Sequence, residues 1–413
     1  MGQPRACAET HNPSKLPGWR MDFLIVLGAL CFLMLVAYRG YSVILFAPVA
    51  ALGAVLLTDP QLVAPMFTGL FMDKMVGFLK LYFPVFLLGA VFGKLIEISG
   101  FSKSIVAATI RVVGAKRAML AIVLVCALLT YGGVFILILG MLYLNWRRRV
   151  AKANGEGYGD PATLLNEPET IDSDKLPNPW IAILPLIMVG VVNKLLTDWI
   201  PNVYGKETSF VPAVIGNPAP VVQETSKLVA IWAVEGALLV GILLVFLFAG
   251  KRVLSQFANG SKAAISGALL AAMNTASEYG FGAVIAALPG FLVVANALNA
   301  IPNPLVNEAI TVTALAGITG SASGGLSIAL AAMADTFIAN ANAANIPMDV
   351  LHRVAAMASG GMDTLPHNGA VITLLAVTGL THRQAYKDIF AITIIKTMAV
   401  FVIIGVFYAT RWV

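Results

Sequence analysis

The stretch A-S-G-G-M-D-T-L-P-H-N-G-A-V-I-T-L-L, Ala358–Leu375, lies in an otherwise apolar C-terminal half, yet it carries two adjacent glycines, an aspartate, a proline, a histidine and an asparagine. A helix at membrane depth tolerates that content only where its backbone is broken and its polar groups meet partners or a wet cavity. Leu365–Pro366 is the expected break, because proline lacks an N–H and restricts the residue before it. The N–H groups freed around His367, Asn368 and Gly369 would form a positive helix end able to hold a carboxylate. This is the form of half a substrate site in a secondary transporter. A polar loop joining two helices is the competing reading, and spacing alone leaves it open.

Composition sets the class. The 413-residue chain is 59% hydrophobic and 12% charged, outside the range of soluble globular domains. Apolar runs of roughly 20 residues recur along it, as in a polytopic α-helical membrane protein. The period-two alternation of a membrane β-barrel is absent. The net charge of +6 sits in the connections and fits the cytoplasmic lysine and arginine bias of such proteins better than nucleic-acid binding. Cys7, Cys31 and Cys126 are spaced neither as a metal knuckle nor as a disulfide framework. Neither a metal nor another cofactor is expected.

Working outward, residues 1–20 form a polar tail and residues 21–146 a first transmembrane half. Residues 147–178 are a polar linker, and 179–413 a second half that holds the substrate-site hairpins. Phe23–Tyr38 and Val43–Leu57 read as a helical hairpin. Residues 58–79 read as an amphipathic piece that lies in the interface or leads into the span Leu81–Ile98. Lys94 and Glu97 read as a snorkelling surface pair. The run Ala118–Trp146 has basic flanks at both ends, Lys116–Arg117 and Arg147–Arg149, which one crossing should not have. It is either a re-entrant pair or a fusion of pieces of two spans. Trp180–Ile200 and Leu228–Phe248 follow, with a polar, proline-rich loop between them, and Ile389–Tyr408 is the last span after a polar turn at Thr381–Asp388.

Two further segments repeat the broken design. Asn274–Gly282 places Asn274, Thr275, Ser277 and Glu278 between half-length apolar pieces, so a discontinuous helix is expected there. Thr319–Gly325 splits another run, and its serines and glycines let backbone approach a ligand while hydroxyls and N–H groups donate. Small-residue helix packing is the alternative for this second segment. Glu278, Asp335, Asp363 and His367 are the ionisable groups near broken segments, candidates for proton coupling or for ordering the site. Asp335 could instead cap a connector helix. No H-E-x-x-H, G-x-S-x-G or P-loop is present, so an enzyme or an ATP-driven pump is not expected.

The run S-G-G-M-D-T-L-P-H-N-G-A-V-I-T-L-L-A-V-T-G-L-T-H-R-Q-A-Y-K-D-I at 359–389 resembles the gluconate permease family (GntP type). So do G-S-A-S-G-G-L-S-I-A-L at 320–330 and V-A-Y-R-G-Y-S-V-I-L-F-A-P at 36–48, and the likeness extends from about residue 22 onward. It implies an all-α, multi-pass protein of the bacterial inner membrane, built from two inverted halves with broken, re-entrant hairpins. It also implies import of gluconate or a related small hydroxy monocarboxylate with protons. A 3-hydroxybutyrate permease and a transport-inactive truncated scaffold are the alternatives. The substrate would contact His367, Asn368, Gly369, Ser321, Ser323, Gly324, Gly325 and Thr364, with Asn274, Thr275 and Ser277 on its hydroxyls. Coupling would fall to Asp363, Glu278 or Asp335. Partners are the organic acid, protons and the lipid bilayer, without nucleic acid, and assembly into homo-oligomers stays open. One departure stands out: after Val134 the family continues through further membrane segments, and here on the order of two crossings are missing.

Overall fold

The computed structural model describes residues 19–113, 133–157, 176–211 and 219–411. The polar tail up to residue 18, residues 118–132 of the run Ala118–Trp146 and most of the 147–178 linker lie outside them. Helices dominate the described residues, and five segments are long and apolar enough to cross a membrane: Arg20–Tyr38, Pro60–Ile98, Pro179–Tyr204, Thr225–Ala287 and His382–Thr410. The chain is a polytopic helical bundle.

Two compact units divide the chain: Met1–Val76, Ala127–Asn166 and Asn274–Val413 form one, and Gly77–Cys126 with Glu167–Met273 the other. The first unit begins with the expected hairpin, α1 (Trp19–Tyr38) and α2 (Val43–Thr58), turned at Arg39–Gly40 with Gly40 at φ +83°. Residues Pro60–Phe71 form a succession of tight and wide turns that runs directly into α3 (Met72–Ile98). The amphipathic piece therefore leads into the span. The second unit holds most of α3, α4 (Phe101–Val113), α6 (Pro179–Tyr204) and the start of α7 (Thr225–Ala287). Trp180 and Trp199 stand exposed near the two ends of α6, the position of interfacial anchors. Lys94 and Glu97 pair at 2.7 Å on the surface. The proline-rich loop before α7 carries a short antiparallel hairpin, β1 (Glu207–Phe210) against β2 (Val221–Glu224). Its β-branched and aromatic residues favour that pairing, which the loop reading missed.

Three local expectations are corrected. The helix is not interrupted at Asn274–Gly282: α7 continues through it to Ala287, and its non-helical residue is Ala249. The glycines there serve close packing, since a Cβ on Gly280 would lie 2.9 Å from the Phe71 carbonyl oxygen and one on Gly282 would overlap Thr319. The run expected to continue to Leu298 breaks at Leu288, after which Pro289 starts α8 (Pro289–Asn299). Thr381–Asp388 is not a turn. Thr381 and Gln384 form a capping box that starts α13 (His382–Thr410), because reciprocal side-chain bonds satisfy the orphan amides of a first turn.

The rest of the first unit is α5 (Gly133–Ala153), α9 (Pro304–Thr319), α10 (Ala322–Ala343), α11 (Met348–Ser359), a 3₁₀ turn (Met362–Thr364) and α12 (Gly369–Thr378). Local chemistry starts and stops these short helices. Asn303 caps α9 ahead of Pro304, Ser321 caps α10 and Asn368 caps α12, as short polar side chains accept from first-turn N–H groups. α10 is itself bent by 73° between Leu330 and Met333. At 16 and 10 residues, α9 and α12 are about 24 and 15 Å long, less than the hydrocarbon thickness. Their ends therefore meet inside the bundle. A core of Phe291, Leu305, Val312, Met333, Phe337 and Val354 packs α9 against α8, α10 and α11. In lipid, packing and not water exclusion holds such helices together. α10 approaches α9 most closely at Gly325, where a Cβ would overlap the Ala316 backbone. Gly325→Leu should therefore lower the thermal midpoint in detergent markedly, by an overpacking cost of about 1–3 kcal/mol. Gly53→Ala on α2, where a Cβ meets nothing within 4 Å, should leave the midpoint unchanged in the same fluorescence-detected unfolding measurement.

Candidate functional site

Two helix N-termini and one polar helix face converge in the first unit. α9 ends at Gly320, which adopts the left-handed conformation (φ +64°), a region that only glycine enters without strain. A Cβ there would also lie 2.6 Å from Cδ2 and 2.8 Å from Nε2 of His367. The Asn368 amide donates to the Gly320 carbonyl while its oxygen accepts from the Val371 N–H at 2.8 Å. Asn368 thus ties the start of α12 to the turn that starts α10. Both helix N-termini are positive ends with orphan N–H groups.

The polar face of α7 closes this arrangement. A Cβ on Gly369 would be 2.9 Å from Thr275 Oγ1 and 3.3 Å from Asn274 Cβ, so α12 begins directly against α7. Asn274, Ser277, Glu278 and His367 are fully or almost fully buried. Asn274 Nδ2, Ser277 Oγ, both Glu278 oxygens and both His367 ring nitrogens make no well-formed hydrogen bond, although the His367 ring faces the Ile318 backbone. The Gly369 amide faces the Glu278 carboxylate. Buried polar groups without partners are rare in proteins and mark ligand or water sites. Here donors and acceptors of both kinds share one place beside two positive helix ends.

The helical break itself is held from one side. Lys396 Nζ lies 2.9 Å from Asp363 Oδ1, with side chains 22% and 19% exposed. Thr364 and Thr393 share a hydrogen bond of 2.6 Å, Tyr386 donates to the Thr364 carbonyl at 3.2 Å, and His382 Nε2 is 2.8 Å from the Pro366 carbonyl. Residues 382, 386, 393 and 396 fall on one face of α13 by helical spacing. Tyr143 of α5 donates to Asp388 at 2.7 Å, and Arg147 lies 3.4 Å from the same carboxylate, which ties α5 to α13. A groove of about 810 Å³ opens beside the break, lined among others by Arg39, Tyr41, Leu375, His382 and Arg383.

The structure brings together Asn274, Thr275, Ser277, Glu278, Ser321, Gly324, His367, Asn368 and Gly369. Ser321 Oγ is engaged as a cap, accepting from the Gly324 N–H at 3.1 Å, and Ser323 is exposed with its hydroxyl 3.3 Å from that oxygen. Gly325 is buried in the packing of α10 on α9. Thr364 and Asp363 face α13. Asp335 is exposed on α10, within the helix and not at its cap. Sequence reasoning overlooked Lys396, although a lone cation inside the apolar run Ile389–Tyr408 is the signal that should have drawn attention to it. It also overlooked Glu308, buried in α9.

No family model matches the chain, and no solved structure matches it. The chain is 47% identical to a protein of Bacillus subtilis (strain 168) named uncharacterized transporter YxjC, across 94% of this chain and 99% of that relative. The alignment runs over 471 positions, more than the 413 residues of this chain. Since 94% of the chain is about 388 residues, about 83 aligned positions of the relative face gaps here.

The pairing of α13 with the break is directly testable. Lys396→Met should lower the thermal midpoint, because it leaves Asp363 uncompensated where solvent is scarce. The double variant Lys396→Met/Asp363→Asn should recover most of the loss in a double-mutant cycle on purified protein.

Proposed function

Because this chain belongs to the family of the B. subtilis transporter YxjC, we propose that it imports a small hydroxylated monocarboxylate, gluconate or a near relative, across the bacterial inner membrane together with protons. The observation that carries this reading is the meeting of the α10 and α12 N-termini over the buried, unpartnered side chains of α7. Two positive helix ends suit one carboxylate. Asn274 and Ser277 offer a donor and a hydroxyl to the hydroxyl groups beside it, and a His367 ring nitrogen can serve either role. The exposed Arg39 and Arg383 in the adjoining groove raise the local concentration of anions.

Glu278 supplies the link to protons. Its carboxylate faces the same Gly369 amide that a substrate carboxylate would use. Two anions about 4 Å apart there would repel by about 4 kcal/mol even at an effective dielectric constant near 20. Substrate therefore enters when Glu278 carries a proton, and substrate and proton travel together. Asp363, paired with Lys396, shapes the break in this scheme, and Asp335 takes no part. The gap against the relative falls, on this reading, after Val134, where the familiar motif order is interrupted.

Uptake of labelled gluconate into proteoliposomes should depend on an imposed inward proton gradient, with labelled 3-hydroxybutyrate as the second substrate tested. No uptake of either acid, beside vesicles in which carriers of known activity for these acids work, would reject the proposal and point to a transport-inactive scaffold. Glu278→Gln should keep substrate exchange between preloaded vesicles and medium while losing gradient-driven accumulation. Unchanged accumulation in that variant would place coupling elsewhere.

A further inference from the structure

α9 carries a second group of buried oxygens that the substrate cluster does not use. Asn307, Glu308 and Thr311 are 2%, 1% and 0% exposed. The Asn307 amide nitrogen donates to the Leu298 carbonyl at 2.9 Å and to the Ile301 carbonyl at 3.2 Å. Those two bonds fix which end of the amide is nitrogen and leave Oδ1 as the free acceptor. Asn307 Oδ1, Glu308 Oε2 and Thr311 Oγ1 all lack hydrogen-bond partners.

Thr311 departs from its neighbours. Thr319, Thr378, Thr393, Thr397 and Thr410 each donate the hydroxyl to the carbonyl four residues earlier, the usual resting place of a threonine in a membrane helix. The Thr311 hydroxyl is buried without making that bond. Positions 307, 308 and 311 lie within an arc of about 100° on the helix, with neighbouring Cβ atoms roughly 5–6 Å apart.

Each buried polar atom left without a partner costs about 1–3 kcal/mol, and one bound ion could satisfy three that lie on adjacent turns. The set is a carboxylate, an amide oxygen and a hydroxyl. Such all-oxygen sets suit hard cations. With one carboxylate, a monovalent ion neutralises the site, whereas a divalent ion would bury a net charge. We propose that Asn307, Glu308 and Thr311 form a sodium site on α9. It is distinct from the substrate cluster, because Glu308 and Gly320 are about 18 Å apart along the helix axis. Sodium there rigidifies the helix whose C-terminal glycine seats His367, so the ion prepares the substrate cluster without touching it. The inference does not depend on which acid is carried or on how protons are coupled.

The test is direct binding to the purified full chain, with labelled sodium and with thermal unfolding in NaCl, KCl and choline chloride at equal ionic strength. A saturable, sodium-specific rise in midpoint is expected, together with saturable binding of labelled sodium. Thr311→Val, which keeps the side-chain shape, should weaken sodium binding about tenfold, the equivalent of roughly 1.4 kcal/mol. Glu308→Gln should abolish binding, and Glu235→Gln on α7 should not alter it. Equal midpoints in sodium and choline without labelled sodium above background would overturn the proposal. So would full sodium binding by both the Thr311→Val and the Glu308→Gln variants.

Discussion

A chain that interrupts its helices at membrane depth must find other partners for the backbone groups it frees, because lipid offers none. The break from Gly360 to Asn368 meets that constraint through α13. Carbonyls of Thr364 and Pro366 receive Tyr386 and His382, the Thr364 hydroxyl meets Thr393, and Asp363 meets Lys396. On the opposite side Asn368 caps α12 and reaches Gly320. With these groups satisfied, buried atoms of Glu278, Ser277, Asn274 and His367 are left beside them without partners. Structure and candidate site are thus two sides of one accounting of polar groups.

Local chemistry made much of this readable from sequence. Pro366, the Asn368–Gly369 pair and Ser321 announce a break or a helix start by backbone rules that need no knowledge of the rest of the fold. The same rules went astray at Asn274–Gly282, where polar residues and glycines suggested a discontinuity. In α7 the polar face is turned inward and the glycines admit Phe71 and Thr319, so packing keeps the helix whole. The contacts of Lys396 with Asp363 and of His382 with Pro366 join residues 33 and 16 positions apart, and no periodicity encodes such meetings. Thr381–Asp388 misled for a related reason, since a capping box and a turn share the same polar residues.

The relative of known name adds a constraint of a different kind. Its alignment sets about 83 positions of the relative against gaps in this chain, a length that amounts to several membrane crossings. The convergent elements α9 to α13 and the end of α7 form a continuous stretch from Asn274 to the end of the chain, within one compact unit. α5 is anchored to α13 in that unit through Tyr143, Arg147 and Asp388.

The ties between α13 and the break have a mechanical consequence. Spread from His382 to Lys396, about 21 Å of helix, they clamp helix and break into one rigid piece that cannot shear internally without losing an ion pair and three hydrogen bonds. The junction of α12 with α7 is different: there Gly369 abuts Thr275 and Asn274 through a bare Cα. Smooth contacts of this kind slide at low cost. Any sliding between these elements has its slip plane there, with α13 and the break as one piece and the end of α7 as the other.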